Sequence, residues 1–322
     1  MTFPIITDYK SAMRNAHNRL RTLDLRPYLD HNGEPVFMAG NFAAVFRTAG
    51  AQEHTMAVKC FIRDLPDLER RHAALGEHIR KSKASYFIDV EYRPYEIYVK
   101  SSIAAEGDYP VVVMPWVEGH TLAAAVEMLA AKNKQKGLAA LTRAFAIMAL
   151  DMLARKTAHG DLKHDNIIVT SKGVLKLIDY DSMYVPALKG LKSVLLGGVN
   201  FQHHARGVRH YGPTMDHFSI LVIALSLRAI TMAPELFAQH FTGENLILTH
   251  DDFMDPEASP LIDHLRQSPD FLIRDMTNRL IKSVLSSTIE VPGIDRALKQ
   301  LRKSDTEPTS AGIGGLLGLF GG

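Results

Sequence analysis

Asp161, Lys163, Asp165 and Asn166 crowd into six residues of the stretch "AHGDLKHDNIIV", and two more carboxylates, Asp179 and Asp181, follow in "LIDYD". Carboxylates and an amide beside a cation, leading into an apolar run, suit chemistry on an oxygen-rich anionic group. Moving a γ-phosphoryl group needs a cation on the α/β-phosphates, oxygen ligands for magnesium, a carboxylate to orient the attacking hydroxyl, and a backbone cover over the phosphates. The residues from Asp161 to Asp181 are candidates for the metal ligands and the orienting carboxylate.

The elements that must position them follow from periodicity. Residues 7 to 22 place Tyr9, Met13, Ala16 and Leu20 at helical spacing. From Arg26 to Ile62 short β-like pieces alternate with turn signals, which predicts a small antiparallel sheet. "DLPDLERRHAALGEHIRKSK" predicts a helix with Pro66 in its first turn and Leu68, Ala73, Leu75 and Ile79 along it. Strand signals resume at "SYFIDVEYR", "YEIYVKSS" and "PVVVMPWVEG". Beyond these, Thr121 is placed to cap a helix running to Lys132, and Leu141, Phe145, Met148 and Met152 mark one face of a longer one. "NIIVT" and "VLKLIDY" predict a hairpin, Ser182 to Pro213 a loop-rich stretch, and the chain to Arg302 mostly helices.

In this order the motifs resemble the signature set of protein kinases. "HGDLKHDN" is similar to the catalytic loop H-R-D-L-K-x-x-N, "LIDYD" stands where D-F-G is expected, "MAVKCF" looks like the V-A-I-K strand, "VVVMPWVEG" like the strand and hinge that hold adenine, and "DHFSILVIALSL" like the D-x-W-S-x-G helix. The resemblance covers about Met38 to Ala229 and implies a role for each residue. Asp161 would orient or deprotonate the acceptor hydroxyl, Lys163 would neutralise the migrating phosphoryl group, and Asn166 and Asp179 would hold magnesium, or manganese in its place. Lys59 would bind the phosphates of ATP and pair with a glutamate of the next helix, Glu77 being favoured by its distance from Phe87 and Glu69 being the alternative. Met114 would be the gatekeeper, the backbone of Pro115 and Val117 would bond the base, and Asp216 would brace the catalytic loop.

The implied fold is α+β and bilobal: a small antiparallel β-rich N-lobe with one central helix (1–117), a larger helical C-lobe (118–302) and a flexible or docking tail (303–322). The implied activity is that of a bacterial, eukaryotic-like Ser/Thr kinase. Its partners would be a protein substrate and a cognate phosphatase or von Willebrand-type protein. Two alternatives stay open: a pseudokinase scaffold, and a small-molecule phosphotransferase of the aminoglycoside or choline kinase type, which "HGD" and "IDYD" also resemble.

Departures from the pattern carry expectations of their own. Only Gly40 remains of the glycine-rich loop, Asp181 occupies the place of the D-F-G glycine, and "NFQHHARG" stands where A-P-E is expected, leaving no buried Glu–Arg pair to assign. Gly160 replaces the arginine of H-R-D, and the following segment offers only Ser182, Tyr184 and Ser193 as phosphoacceptors, so activity is expected to be independent of loop phosphorylation.

Composition narrows the classes. A net charge of +2 lacks the strong field of nucleic-acid or membrane binding, and one cysteine, Cys60, excludes an intrachain disulfide. The N-terminus has no basic start followed by an apolar run, and "SILVIALSL" is about half a membrane span. A cytoplasmic protein is expected.

Overall fold

A computed structural model describes residues 2–51 and 54–304 of the chain. It is α+β, with a curled antiparallel sheet and a helical part, and divides into two compact units, Met1–Val117 and Glu118–Gly322. The tail expected at 303–322 lies outside the described residues from 305 onward, and Lys303 ends the last described helix.

The first unit opens with α1 (Ile6–Arg14) and α2 (Ala16–Arg19). A single helix was expected over 7–22, but Asn15 leaves helical geometry at φ −114 and ψ 36 and splits it. The apolar face holds across the break: Tyr9, Met13, Ala16 and Leu20 are all buried. Five strands, β1 (Arg26–Pro27), β2 (Phe37–Ala39), β3 (Ala43–Ala49), β4 (Thr55–Phe61) and, after α3 (Leu68–Ser82), β5 (Glu91–Val99), join β6 (Gly107–Pro115) in one sheet. Among the described residues its order is β1-β3-β4-β6-β5, with β2 also on β3.

Strand alternation gives β4 two faces. Cys60 lies against Tyr9 of α1, whose hydroxyl donates to the Phe61 carbonyl at 2.8 Å, and burial pushes the Cys60 thiol well above its ordinary range. Lys59 and Phe61 point the other way, toward α3, where the Phe61 and His72 rings meet at 5.5 Å. The buried line of α3 is Leu68, Arg71, His72, Leu75, Gly76 and Ile79; Ala73 is exposed, and Pro66 precedes the helix instead of entering its first turn. Two strands were expected around 85–102. One forms, and its register on β6 shifts between Arg93 and Ile97, where Pro94 cannot donate to the ladder. The preceding Tyr86–Val90 stretch is not strand. Glu96, only 2% exposed, accepts from the amides of Thr22 and Leu23 and so fastens the chain after α2 to β5.

The second unit starts with β7 (His120–Thr121) and α4 (Leu122–Ala131), where Thr121 accepts from the Ala124 amide at 3.2 Å as a cap. α5 (Gln135–Ala154) buries Leu141, Phe145, Met148 and Met152. By length and composition α5 alone among the described residues is apolar enough to cross a bilayer. Half of it is nevertheless buried in protein, where Thr142 Oγ1 bonds the Leu227 carbonyl and Thr231 of α6 (His217–Met232). The expected hairpin is β8 (Ile167–Val169) with β9 (Leu175–Leu177), and β7 adds a third strand too short to read from sequence.

From Ser182 to Pro213 the chain forms only short 3-10 turns. Ala158 and Tyr184 exchange both backbone bonds, at 3.1 and 2.8 Å, and Tyr211 donates to the Met183 carbonyl at 2.7 Å, so this stretch is tied down without regular structure. Every residue of α6 from Phe218 to Thr231 is buried; α5, α7 (Glu235–His240), α10 (Phe271–Val284) and α11 (Ile294–Lys303) pack against it, α8 (His250–Met254) meets it through the Phe218 and Phe253 rings, and α9 (Pro260–Arg266) packs on α10.

Candidate functional site

The site residues of the second unit hang from two adjacent structures: the turn that precedes β8 and the turn that follows β9. Residues 158–166 cross over without regular structure and end in a single 3-10 turn, His164–Asn166. Three groups fix this crossover from below. Asp216, 1% exposed at the head of α6, accepts the His159 amide and the Gly160 amide, the latter at 2.9 Å. His159 is fully buried. Its Nδ1 faces the Asp161 amide at 3.4 Å and its Nε2 lies 2.8 Å from the Ile178 carbonyl, a network that assigns the proton to Nε2. His164, also buried, packs edge-on to Phe201 and Phe241 and places Nδ1 2.9 Å from Asp165, whose carboxyl the neighbouring imidazole holds below its usual range.

On this support the Asp161 carboxylate is held from two sides. Gly198 N–H donates to Oδ1 at 2.9 Å, and Asn166 Nδ2 approaches Oδ2 at 3.2 Å while bonding the Asp161 carbonyl at 2.8 Å. Committing Nδ2 to Asp161 leaves the Asn166 amide oxygen as a hard donor for a cation. Lys163 is half-buried, and its Cδ lies 3.9 Å from where a side chain on Gly198 would begin.

Gly197 and Gly198 were not singled out from sequence, although the Gly-Gly pair was there to find. Gly197 has φ +80, and a Cβ on it would lie 2.7 Å from Gln202 Nε2 and 2.9 Å from Asp161 Oδ1. Only glycine lets this backbone come so close.

Beyond β9, Asp179 is exposed and adopts φ 61, ψ 70, the left-handed region, where a non-glycine residue is strained and such strain gathers at functional sites. Asp181 sits two residues on but is buried within the Tyr180–Ser182 turn, so the two carboxylates occupy different surroundings. Among the described residues no three His, Cys, Asp or Glu side chains form a metal-binding group. The donor set of Asn166 and Asp179 fits magnesium, which takes one or two protein oxygens and completes an octahedron with water and phosphate.

In the first unit, register puts Lys59 opposite Val112 and Val112 opposite Tyr92, so the three share one row and one face of the sheet. Met114 lies on that face too, opposite Ala57. Lys59 is 5% exposed. The expectation that Glu77 is its partner is corrected: the Glu77 side chain is 58% exposed and bonds Lys81 one helical turn on, a bond that lowers its pKa. Helix periodicity turns Glu77 to solvent once His72 and Leu75 face the sheet.

Glu69, the alternative, is exposed as well, but its charge acts on Tyr92 in the Lys59 row, and His72, three residues on, stacks on Tyr92 at 5.7 Å. Burial first, then Glu69, pushes the Tyr92 phenol up to about 12. Among the described residues neither glutamate is bonded to Lys59. Gly40 begins the β2–β3 hairpin, its amide bonding the Ala43 carbonyl at 2.9 Å, with an ordinary φ and room for a side chain; the conformational freedom expected of a phosphate-covering glycine is not required here. After β6 the Trp116 amide is taken by the Thr55 carbonyl at 3.0 Å; the Val117 amide has no partner among the described residues, and Pro115 contributes only a carbonyl.

No family model matches the chain, and no curated protein matches it.

Proposed function

We propose that the chain transfers the γ-phosphoryl group of ATP, with magnesium, to Ser/Thr hydroxyls of protein substrates, its own included. The observation that carries this reading is the Asp161 carboxylate, held by Asn166 and the Gly198 amide on a crossover that buried Asp216 braces. A carboxylate held this way is preorganised: it accepts the acceptor hydroxyl's proton at a fixed place, with no reorientation at the moment of reaction. Lys163 supplies positive charge beside Gly198. Asn166 and Asp179 would hold magnesium, which offsets charge developing on the phosphates when bound. Lys59 is assigned to the α/β-phosphates. Buried Cys60 fits a reducing, cytoplasmic setting.

The purified chain incubated with ATP, magnesium and a generic basic protein is expected to label that protein. Asp161→Ala and Asp179→Ala are each expected to reduce labelling by about 100-fold or more, with magnesium-dependent nucleotide binding weakened more by Asp179→Ala. Nucleotide binding without transfer would turn the assignment to a pseudokinase, which the undemanding Gly40 hairpin favours. Transfer to small alcohols or aminoglycosides alone would turn it to a small-molecule phosphotransferase.

A further inference from the structure

Arg206 lies in the stretch that replaces A-P-E and was assigned no role from sequence. Its side chain is buried, 7% exposed, yet among the described residues no carboxylate bonds it. Nη1 donates to Gln202 Oε1, Nη2 lies 3.7 Å from Met215 Sδ, and Nε has no partner. A desolvated cation with only neutral bonding partners is expensive to keep.

Its surroundings show what the charge does there. Gln202 donates through Nε2 to Ser219 Oγ at 3.2 Å and packs directly beneath Gly197. The next residue, Gly198, gives its amide to Asp161. On the other side, Met215 Cε would lie 2.9 Å from a Cβ on Gly160, the position where the resembled catalytic loop carries an arginine. Asp216, next in sequence to Met215, holds the His159 and Gly160 amides. Burial draws the guanidinium below its usual range, and the fields of Asp216 and Asp161 oppose that. Ser182, Tyr184 and Ser193, the residues able to carry a phosphate in the intervening segment, are all at least 95% buried.

We propose that Arg206 is a positioning residue for Asp161: a built-in cation that, through Gln202, holds Gly197–Gly198 against the carboxylate without any loop phosphate. This rests on the phosphoryl-transfer reading for its consequence but not for its geometry.

The test uses the full chain carrying Arg206→Met or Arg206→Lys, with kcat, the KM for ATP, thermal unfolding and hydrogen exchange of the Gly198 amide as readouts. For folded Arg206→Met, kcat is expected to fall about 10- to 100-fold with the KM for ATP within about twofold, and Gly198 exchange to accelerate about tenfold or more. Arg206→Lys should recover part of both losses. A folded Arg206→Met protein with unchanged kcat and unchanged Gly198 exchange overturns the proposal. Should that variant not fold, Arg206→Gln is measured in the same way; failure of both to fold also overturns it, because a positioning residue is dispensable for the fold. If the wild-type chain transfers no phosphate, the functional reading falls, while Gly198 exchange still decides whether Arg206 holds the loop.

Discussion

Gly160 has φ +83, and a Cβ there would overlap the Ser182 carbonyl oxygen, lie 2.8 Å from Ser182 Cβ and 2.9 Å from Met215 Cε. Glycine at this position is therefore a steric requirement of how the chain at Ser182 crosses the turn. The left-handed conformation alone costs an L-residue about 1–2 kcal/mol, and none of these neighbours is a flexible side-chain end that can retreat cheaply except Met215. Gly160→Ala should then destabilise the protein by about 3 kcal/mol or more, visible as a lower denaturant midpoint, and Gly160→Arg should do worse. The proposed phosphoryl transfer should drop about 100-fold in Gly160→Ala, since the displaced amide is one of the two that Asp216 holds. A stable, active Gly160→Arg protein would mean that the crossover is not built as described.

Among the elements, α10 depends on one residue in two ways. Asp270 caps it, accepting the Ile273 amide at 3.0 Å, and receives Arg228 Nη2 of α6 at 2.7 Å, both side chains being about 90% buried. Burial works against ionisation of Asp270, but the Arg228 bond and the cap together hold its carboxyl below the usual range. Asp270→Ala removes the cap, about 1 kcal/mol, and deprives Arg228 of a buried counter-charge, so a loss of about 2–4 kcal/mol is expected by denaturant unfolding. A double-mutant cycle with Arg228→Met should show that most of the loss is the pair. Neither partner is marked in the sequence: "NFQHHARG" leaves no buried Glu–Arg pair to assign, and this Asp–Arg pair joins residues 42 positions apart on helices that only packing brings together. What periodicity encodes was legible, including the Tyr9–Leu20 face, the Thr121 cap and the β8–β9 hairpin. What depends on tertiary approach was not: the break at Asn15, the shift at Pro94, the solvent-facing turn of Glu77, Gly198 on Asp161, and Arg206 beneath it.

Across the whole molecule, burial has been imposed on histidines as well as on apolar side chains, and this sets how the fold answers to pH. His203, 2% exposed, lies with Nε2 2.9 Å from the Ser283 carbonyl and accepts the Ala205 amide on Nδ1, so it is bound as a neutral ring. Burial lowers its pKa, with His204 and His210 acting in the same direction and the Ser283 bond against it. His217 is lowered too, by burial, although Glu290, Asp216 and Asp295 oppose the shift, and His210 is lowered by burial, Arg209 and Arg206. The three shifts share a sign. In the unfolded chain these rings take up protons near the ordinary value of about 6.5, whereas in the fold they refuse them until lower pH. The folded state therefore binds fewer protons than the unfolded one in that window, and stability, full above about pH 7, declines as pH falls through about 6.5 toward the folded values. Carboxylates such as Asp270 contribute to a separate loss at lower pH, near and below their ordinary pKa of about 4. Thermal unfolding should accordingly show a lower Tm at about pH 5.5 than at about pH 7.5, and a His203→Gln/His217→Gln protein should lose less Tm over the same interval. An equal or steeper decline in the double variant would place the acid sensitivity elsewhere in the fold.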